Sequence, residues 1–256
     1  MFNNSGTGWR AQMPPVPKNL IILTVLLWLV ETLIPGFGRT LVDTLGLHFF
    51  EGSGFNPAQI ITYMFLHSPD SIMHLLFNMF TLWMFGRLME QVWGSRRFLL
   101  FYMVCGVGAA IVQEIVWAFT WEHDYIAGIA PLNGLTYSQM KQVVDLALSN
   151  GDAEFIKAVG MMKNSMMTIG ASGAVFGLLL GFAFVFPNLP LYLFFIPVPI
   201  KAKYMVAGYA VIEFFFGVTG AQSTVAHFAH LGGMLFGLVM LLYWKKKGTL
   251  RGNSFM

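Results

Sequence analysis

Residues 225–247 read VAHFAHLGGMLFGLVMLLYWKKK, a mostly apolar run that is closed by three lysines. A helix needs roughly 20 apolar residues to cross a bilayer. We therefore predict a membrane span over residues 225–244, with the lysines as an anchor at its end. His227 and His230 lie inside this span, and polar side chains at membrane depth are rare and typical of functional sites.

The composition of the whole chain also indicates a membrane protein. Of 256 residues, 56% are hydrophobic and only 11% are charged, whereas a soluble domain carries about 25% charged residues. This excludes a disordered chain, a nucleic-acid-binding arm and an ordinary soluble enzyme. The net charge of +3 is too small to indicate a nucleic-acid partner. Cys105 is the single cysteine, so no intrachain disulfide can form.

Five further apolar runs bring the predicted number of spans to six. They lie near residues 19–34, 71–93, 98–119, 166–186 and 202–218. The predicted fold class is all-α, a polytopic membrane protein with a bundle of six transmembrane helices. An even number of spans places both chain ends on one side of the membrane.

The distribution of basic residues predicts which side that is. Eleven of the 15 lysines and arginines would share the side of the chain ends, and four would lie opposite: Arg39, Lys141, Lys157 and Lys163. Because cytoplasmic segments are rich in lysine and arginine, we expect both termini in the cytoplasm. The expected location is the plasma (inner) membrane, crossed several times.

The predicted organisation is a cytoplasmic segment (residues 1–18), a membrane domain (19–245) and a cytoplasmic tail (246–256). Residues 35–70 are aromatic and glycine-rich, and we expect a structured loop partly sunk in the outer leaflet. Residues 120–165 form an external insert of open role, with a short amphipathic helix that begins near Ser138. Three prolines make residues 189–200 an interfacial loop rather than another span.

Three predicted spans carry polar side chains at a similar depth. His74 and Asn78 are four residues apart and share one helical face, while Ser172 and His230 each lie about six residues into a span, on the order of 10 Å deep. Glycines at four-residue spacing, including Gly173 with Gly177 and Gly233 with Gly237, predict close packing of the fourth and sixth spans. Ser172 Oγ would then be within reach of a His230 nitrogen.

This set of side chains fits acyl transfer by an activated serine. His230 would be the general base, and His74 and Asn78 would donate hydrogen bonds to the developing oxyanion. The spans contain no aspartate, so the sequence favours a Ser–His dyad, with Phe176 stacked on the imidazole. Sequence spacing gives no partner for the span carboxylates Glu114 and Glu213.

The motifs Gly170-Ala-Ser172-Gly173, His74-xxx-Asn78 and Ala229-His230-Leu-Gly-Gly233-xxx-Gly237 resemble those of the rhomboid intramembrane serine proteases. The resemblance implies a Ser172–His230 dyad, an oxyanion hole made by the Ser172 N–H with the His74 and Asn78 side chains, and no metal or other cofactor. It implies a lipid-embedded endopeptidase that cleaves single-span membrane proteins within or near the outer leaflet. Its supporting residues map onto Gly170, Gly173, Phe176, Gly233, Gly237 and Glu90. Some members have tyrosine where this chain has Phe176.

Three other functions remain open at this point. A metal-dependent enzyme could use His74, His227 and His230, although the chain lacks an HExxH motif. A non-catalytic relative that only binds membrane clients would be expected to lack Ser172 or His230. A transporter would usually show an internal repeat or broken helices. We interpret His227 as a structural or cavity-lining residue and His67 as a residue near the external mouth.

Overall fold

The structure is a computed structural model, and it describes residues 13–193, 196–220 and 226–249. The predicted all-α class is confirmed, because helices make up most of the chain and strands are short. The helices are α1 (Pro15–Leu33), α2 (Pro35–Leu45), α3 (Gln59–Thr62), α4 (Ile72–Thr81), α5 (Arg87–Trp93), α6 (Ser95–Ile129), α7 (Tyr137–Ser149), α8 (Ala153–Ser165), α9 (Ser172–Val185), α10 (Ala202–Thr219) and α11 (His227–Lys246). The strands are β1 (Leu47–His48), β2 (Met167–Thr168), β3 (Pro190–Leu193) and β4 (Ile196–Lys201).

Six helical segments form the bundle: α1, α4 with α5, α6, α9, α10 and α11. A π-helical stretch, Leu82–Gly86, joins α4 to α5. In the described chain, α1, the α4–α5 segment, α6 and α11 are long and apolar enough to cross a membrane by themselves. Many apolar side chains on the outside of the bundle are exposed, for example Leu26, Phe77 and Phe214, as expected of a surface covered by lipid.

Helix α9 is shorter than the span predicted over residues 166–186. It begins at Ser172 and has 14 residues, which is about 21 Å at 1.5 Å per residue. The residues before it are apolar, but Met167–Thr168 pair antiparallel with Leu47–His48 instead of continuing the helix. Ser172 is therefore the first residue of its helix, and the predicted start of this helix near residue 166 is wrong.

The centre of the bundle is built by backbone contact between α9 and α11. A Cβ on Gly233 would overlap the carbonyl oxygen of Gly173, and one on Gly177 would lie 2.8 Å from the Gly233 oxygen. Both glycine faces also pack on α6, where the Gly177 position faces Cys105. The predicted small-residue faces therefore meet each other and not the lipid.

One end of the bundle is closed by aromatic packing. The Trp93 ring lies 4.7 Å from that of Phe101 and 5.5 Å from that of Trp244, measured between ring centroids. Close by, Glu90 accepts hydrogen bonds from the Val16 N–H, at 3.0 Å, and from the Ser95 hydroxyl. The start of α1, the α5–α6 junction and the end of α11 thus share one end, as six spans require.

The insert at residues 120–165 differs from its prediction in three ways. Helix α6 continues to Ile129, beyond the predicted end at residue 119, and α8 was not predicted at all. The N-cap of α7 is Thr136 rather than Ser138. Thr136 Oγ1 accepts the Gln139 N–H while Gln139 Oε1 accepts the Thr136 N–H, and this reciprocal capping box outcompetes a cap two residues later.

Two other connections also contain secondary structure. Residues 35–70 contain α2, β1 and α3, in agreement with the predicted structured loop. Residues 189–200 were predicted to be an interfacial loop rather than a span, and in the described part of this segment β3 and β4 pair antiparallel. Prolines are tolerated in this two-stranded ribbon because each strand has one edge that needs no N–H donor.

Candidate active site

The site begins with the backbone turn before α9. Gly170 has φ +132°, in the region that favours glycine, and a Cβ there would lie 2.9 Å from His74 Cε1. Glycine thus lets the chain enter the helix while the His74 ring packs against it. Because Ser172 is the first residue of α9, its N–H has no intrahelical acceptor and lies at the positive end of the helix dipole.

The structure brings Ser172 and His230 into direct contact. Ser172 Oγ and His230 Nε2 are 2.8 Å apart, which is a good hydrogen-bond distance. The contact depends on the glycine packing described above, because α11 could not approach α9 with larger side chains at Gly173 and Gly233. His230 is 7% exposed.

Phe176 holds the imidazole from one side. Its ring stacks on His230 with centroids 4.3 Å apart and an interplanar angle of 6°. Phe176 lies one turn after Ser172 on α9, so the helix that carries the serine also carries the residue that fixes the plane of the histidine ring.

A carboxylate that the sequence left without a partner completes the group. Glu213 Oε2, on α10, lies 2.8 Å from His230 Nδ1 and 2.7 Å from His227 Nδ1. Sequence spacing could not show this contact, because it depends on how α10 is rotated against α11. The sequence did show that Glu213 is a carboxylate inside a predicted membrane span. Such residues are rare and typical of functional sites.

His74 and Asn78 line the same cavity as the Ser172–His230 pair. The cavity has a volume of about 590 Å³, and His74, Asn78, Gly170, Ser172 and His230 are among its lining residues. Asn78 donates one Nδ2 hydrogen to the His74 carbonyl at 2.9 Å. An amide has two such hydrogens, so one remains for another acceptor.

His67 supports the turn before the serine. The side chain is fully buried, and its Nε2 accepts the Ala171 N–H at 3.4 Å. Its ring centroid lies 5.1 Å from that of His74. Glu31 accepts the His67 backbone N–H at 3.3 Å, which ties this loop to α1.

Glu114, the other carboxylate that the sequence left without a partner, lies outside the site. It accepts the Phe50 N–H at 2.9 Å.

The residues proposed for a metal-dependent alternative are only partly brought together. In the described part of the chain, the group with suitable ligand atoms is Glu213, His227 and His230, whose atoms lie within 4.8 Å of one another. His74 is not part of that group. These three residues are already hydrogen-bonded to each other through Glu213 Oε2.

The fold and the site define a helical membrane protein with a serine–histidine pair in a cavity between its helices. The Rhomboid domain model matches residues 55–136 and 141–247, more than half of the chain. The chain therefore belongs to the rhomboid family, which consists of intramembrane serine proteases, and it is a serine-type endopeptidase and an integral membrane protein. A comparison with curated proteins found no match.

Proposed function

We propose that this protease cleaves single-span membrane proteins within or near the outer leaflet, with Ser172 as nucleophile and His230 as general base. The observation that carries the proposal is the 2.8 Å contact between Ser172 Oγ and His230 Nε2. A serine alcohol is a weak nucleophile until a base takes its proton, and a base within hydrogen-bond reach is the structural signature of activation.

The reaction would pass through an acyl-enzyme. His230 Nε2 takes the Ser172 proton while Oγ attacks the scissile carbonyl carbon. The imidazolium then gives that proton to the leaving amine, and water hydrolyses the ester with His230 again as base. The Ser172 N–H, the free Asn78 hydrogen and the His74 ring are the donors proposed for the oxyanion, and the loss of one such donor typically costs roughly 10²–10³ in kcat.

The cavity accounts for the proposed substrate class. It combines apolar side chains such as Met73 and Val175 with the polar groups of the site, so it can accept a segment that leaves the lipid. A substrate helix must unwind before its carbonyl reaches Ser172, because backbone groups inside a helix are already paired. Small or helix-breaking residues near the cut would ease that unwinding.

The proposed orientation puts both termini in the cytoplasm and the cavity toward the outside, in a plasma (inner) membrane. Basic residues such as Lys18, Arg96 and Lys245 lie on segments at the end closed by Trp93 and Trp244. Ser172 begins its helix toward the opposite end. The positive-inside rule then assigns the basic end to the cytoplasm.

The proposal is tested by incubating purified protein with a single-span substrate and identifying the products by mass. Ser172→Ala and His230→Ala should each abolish cleavage while the protein stays folded. Ser165→Ala and His123→Ala, both outside the cavity, are the matched controls and should cleave at the wild-type rate. Cleavage by Ser172→Ala at the wild-type rate would contradict the proposal.

A further inference from the structure

We propose that Glu213 is a positioning residue that acts on the Ser172–His230 pair through His230. Its carboxylate would hold His230 in the tautomer and orientation that accept the serine proton. The inference rests on the proposed function, because it concerns how that same histidine is made into a base.

The tautomer follows from hydrogen-bond chemistry. An ionised carboxylate can only accept, so a 2.8 Å bond from Glu213 Oε2 to His230 Nδ1 requires the hydrogen on Nδ1. The lone pair of the neutral ring is then on Nε2, the atom that faces Ser172 Oγ at 2.8 Å. In the opposite tautomer, Nε2 would carry a hydrogen and could not take the serine proton.

The ring is also held in place on three sides. Ser172 contacts one nitrogen, Glu213 contacts the other, and Phe176 stacks on the face. The two hydrogen bonds fix the direction of the ring, and the stacking fixes its plane. Without Glu213, the imidazole could still stack, but nothing among these contacts would choose between its two nitrogens.

The same carboxylate would stabilise the charge that forms during the reaction. When the proton moves from Ser172 Oγ to His230 Nε2, the ring becomes a cation and its Nδ1 hydrogen stays where it is. A carboxylate 2.8 Å away, with both side chains largely buried, stabilises that cation. Glu213 stays ionised throughout, so protons and charge balance within the Ser172–His230 pair.

His227 anchors Glu213 rather than the serine. Its Nδ1 donates to the same Oε2 at 2.7 Å, and its ring packs 5.6 Å from that of Phe216, between centroids. The Glu213 side chain is 13% exposed and that of His227 is 5% exposed. Two N–H donors on one oxygen hold the carboxylate against His230, which gives a role to His227, three residues earlier in the chain.

The experiment compares Glu213→Gln with Glu114→Gln, a matched change at a span glutamate outside the site. Glutamine keeps the shape of Glu213 but removes its charge and adds a donor. We expect kcat to fall by about 10²–10⁴-fold, by analogy with other serine triads, with KM changed less than threefold. Glu213→Asp should recover part of the loss, whereas Glu114→Gln should match the wild type.

A second readout shows whether Glu213 acts through His230. The rate of fluorophosphonate labelling at Ser172 should fall in Glu213→Gln. Glu213→Gln should unfold at the same temperature as the wild type, because only the orientation of His230 is lost. An unchanged labelling rate, or a thermal stability that falls in step with activity, would show a merely structural role and overturn the inference.

A metal on the same ligand atoms is the competing arrangement. The proposal predicts that EDTA leaves cleavage unchanged, because His230 Nδ1 carries a hydrogen and not an ion. Activity that is lost with EDTA and restored by Zn²⁺ would overturn it. Wild-type cleavage by Glu213→Gln, with Ser172→Ala inactive, would refute this inference alone, whereas activity in Ser172→Ala would refute the proposed function.

Discussion

The α9–α11 interface and the α7–α8 insert are held together by different means. Between α9 and α11, two backbones touch at Gly173 and Gly233, and a Cβ added at the latter has no room. The insert rests on a small cluster of buried side chains: Ile126, Ala130, Met140 and Val144. Its polar contacts, such as those of Lys141 with Glu122 and Asp145, are largely exposed.

The difference bears on where the chemistry can lie. Among the described residues, the hydrogen bonds and the ring stacking that orient His230 come from α9 and α10, and not from the insert. Backbone packing without free space transmits small displacements directly to a bound group. Exposed ion pairs, by contrast, contribute about 0–1 kcal/mol each and tolerate change. The comparison predicts that substitutions in the α9–α11 interface strongly lower stability and activity, whereas changes in the α7–α8 insert are tolerated.

The largest effect is expected from Gly233→Val. The valine side chain would overlap the Gly173 carbonyl, so α9 and α11 must separate. We expect a loss of about 3 kcal/mol of stability, at the upper end of the usual cost of overpacking, and no measurable cleavage. Gly128→Val on α6 is the matched control, because a Cβ there meets no atom within 4 Å. Thermal unfolding in detergent measures the stability of the two variants. Equal stability would contradict the close packing of α9 on α11.

Asn78→Ala should have the next largest effect. It removes one proposed oxyanion donor while the Ser172 N–H and His74 remain, so kcat should fall by roughly 10²-fold. KM should stay nearly constant, because the interaction is made mainly in the transition state. A variant that raised KM and left kcat unchanged would instead place Asn78 in ground-state substrate binding.

Phe176 should matter less, because two hydrogen bonds still orient His230 without it. We expect Phe176→Leu to lower kcat about tenfold, within the 0.5–1.5 kcal/mol that an aromatic pair adds beyond its buried area. Phe176→Tyr keeps the ring and should stay close to the wild type. Measurement of kcat for both variants tests this prediction. A lower kcat for Phe176→Tyr than for Phe176→Leu would contradict it.

The smallest effect is expected from the insert. Replacing residues 134–158 with a Gly/Ser linker removes α7 and the start of α8 but keeps Asn164, whose side chain accepts the Gly54 N–H at 2.6 Å. We expect cleavage of a generic single-span substrate to stay within about tenfold, since long surface segments are exchanged at modest entropic cost. A folded but inactive product would mean that the insert shapes the site or recruits substrate.

The sequence predicted those features that depend on composition and spacing along one helix. The spans ending near Trp93 and near residue 244 lie within a few residues of their predictions, because the length of an apolar run is visible in one dimension. The start of α9 was missed since β2 pairs with β1, about 120 residues earlier in the chain. Glu213 was left without a partner because the rotation of α10 against α11 is set by packing that no local pattern records.

The most direct test of the account is the labelling of the intact protein with a fluorophosphonate, read by mass in detergent. The probe captures a serine only when a base activates it, so it reports the Ser172–His230 contact without any assumption about substrate. The account predicts one adduct on Ser172 in the wild type and none in Ser172→Ala or His230→Ala over the same time. Wild-type labelling of His230→Ala, or an adduct on another residue, would contradict it.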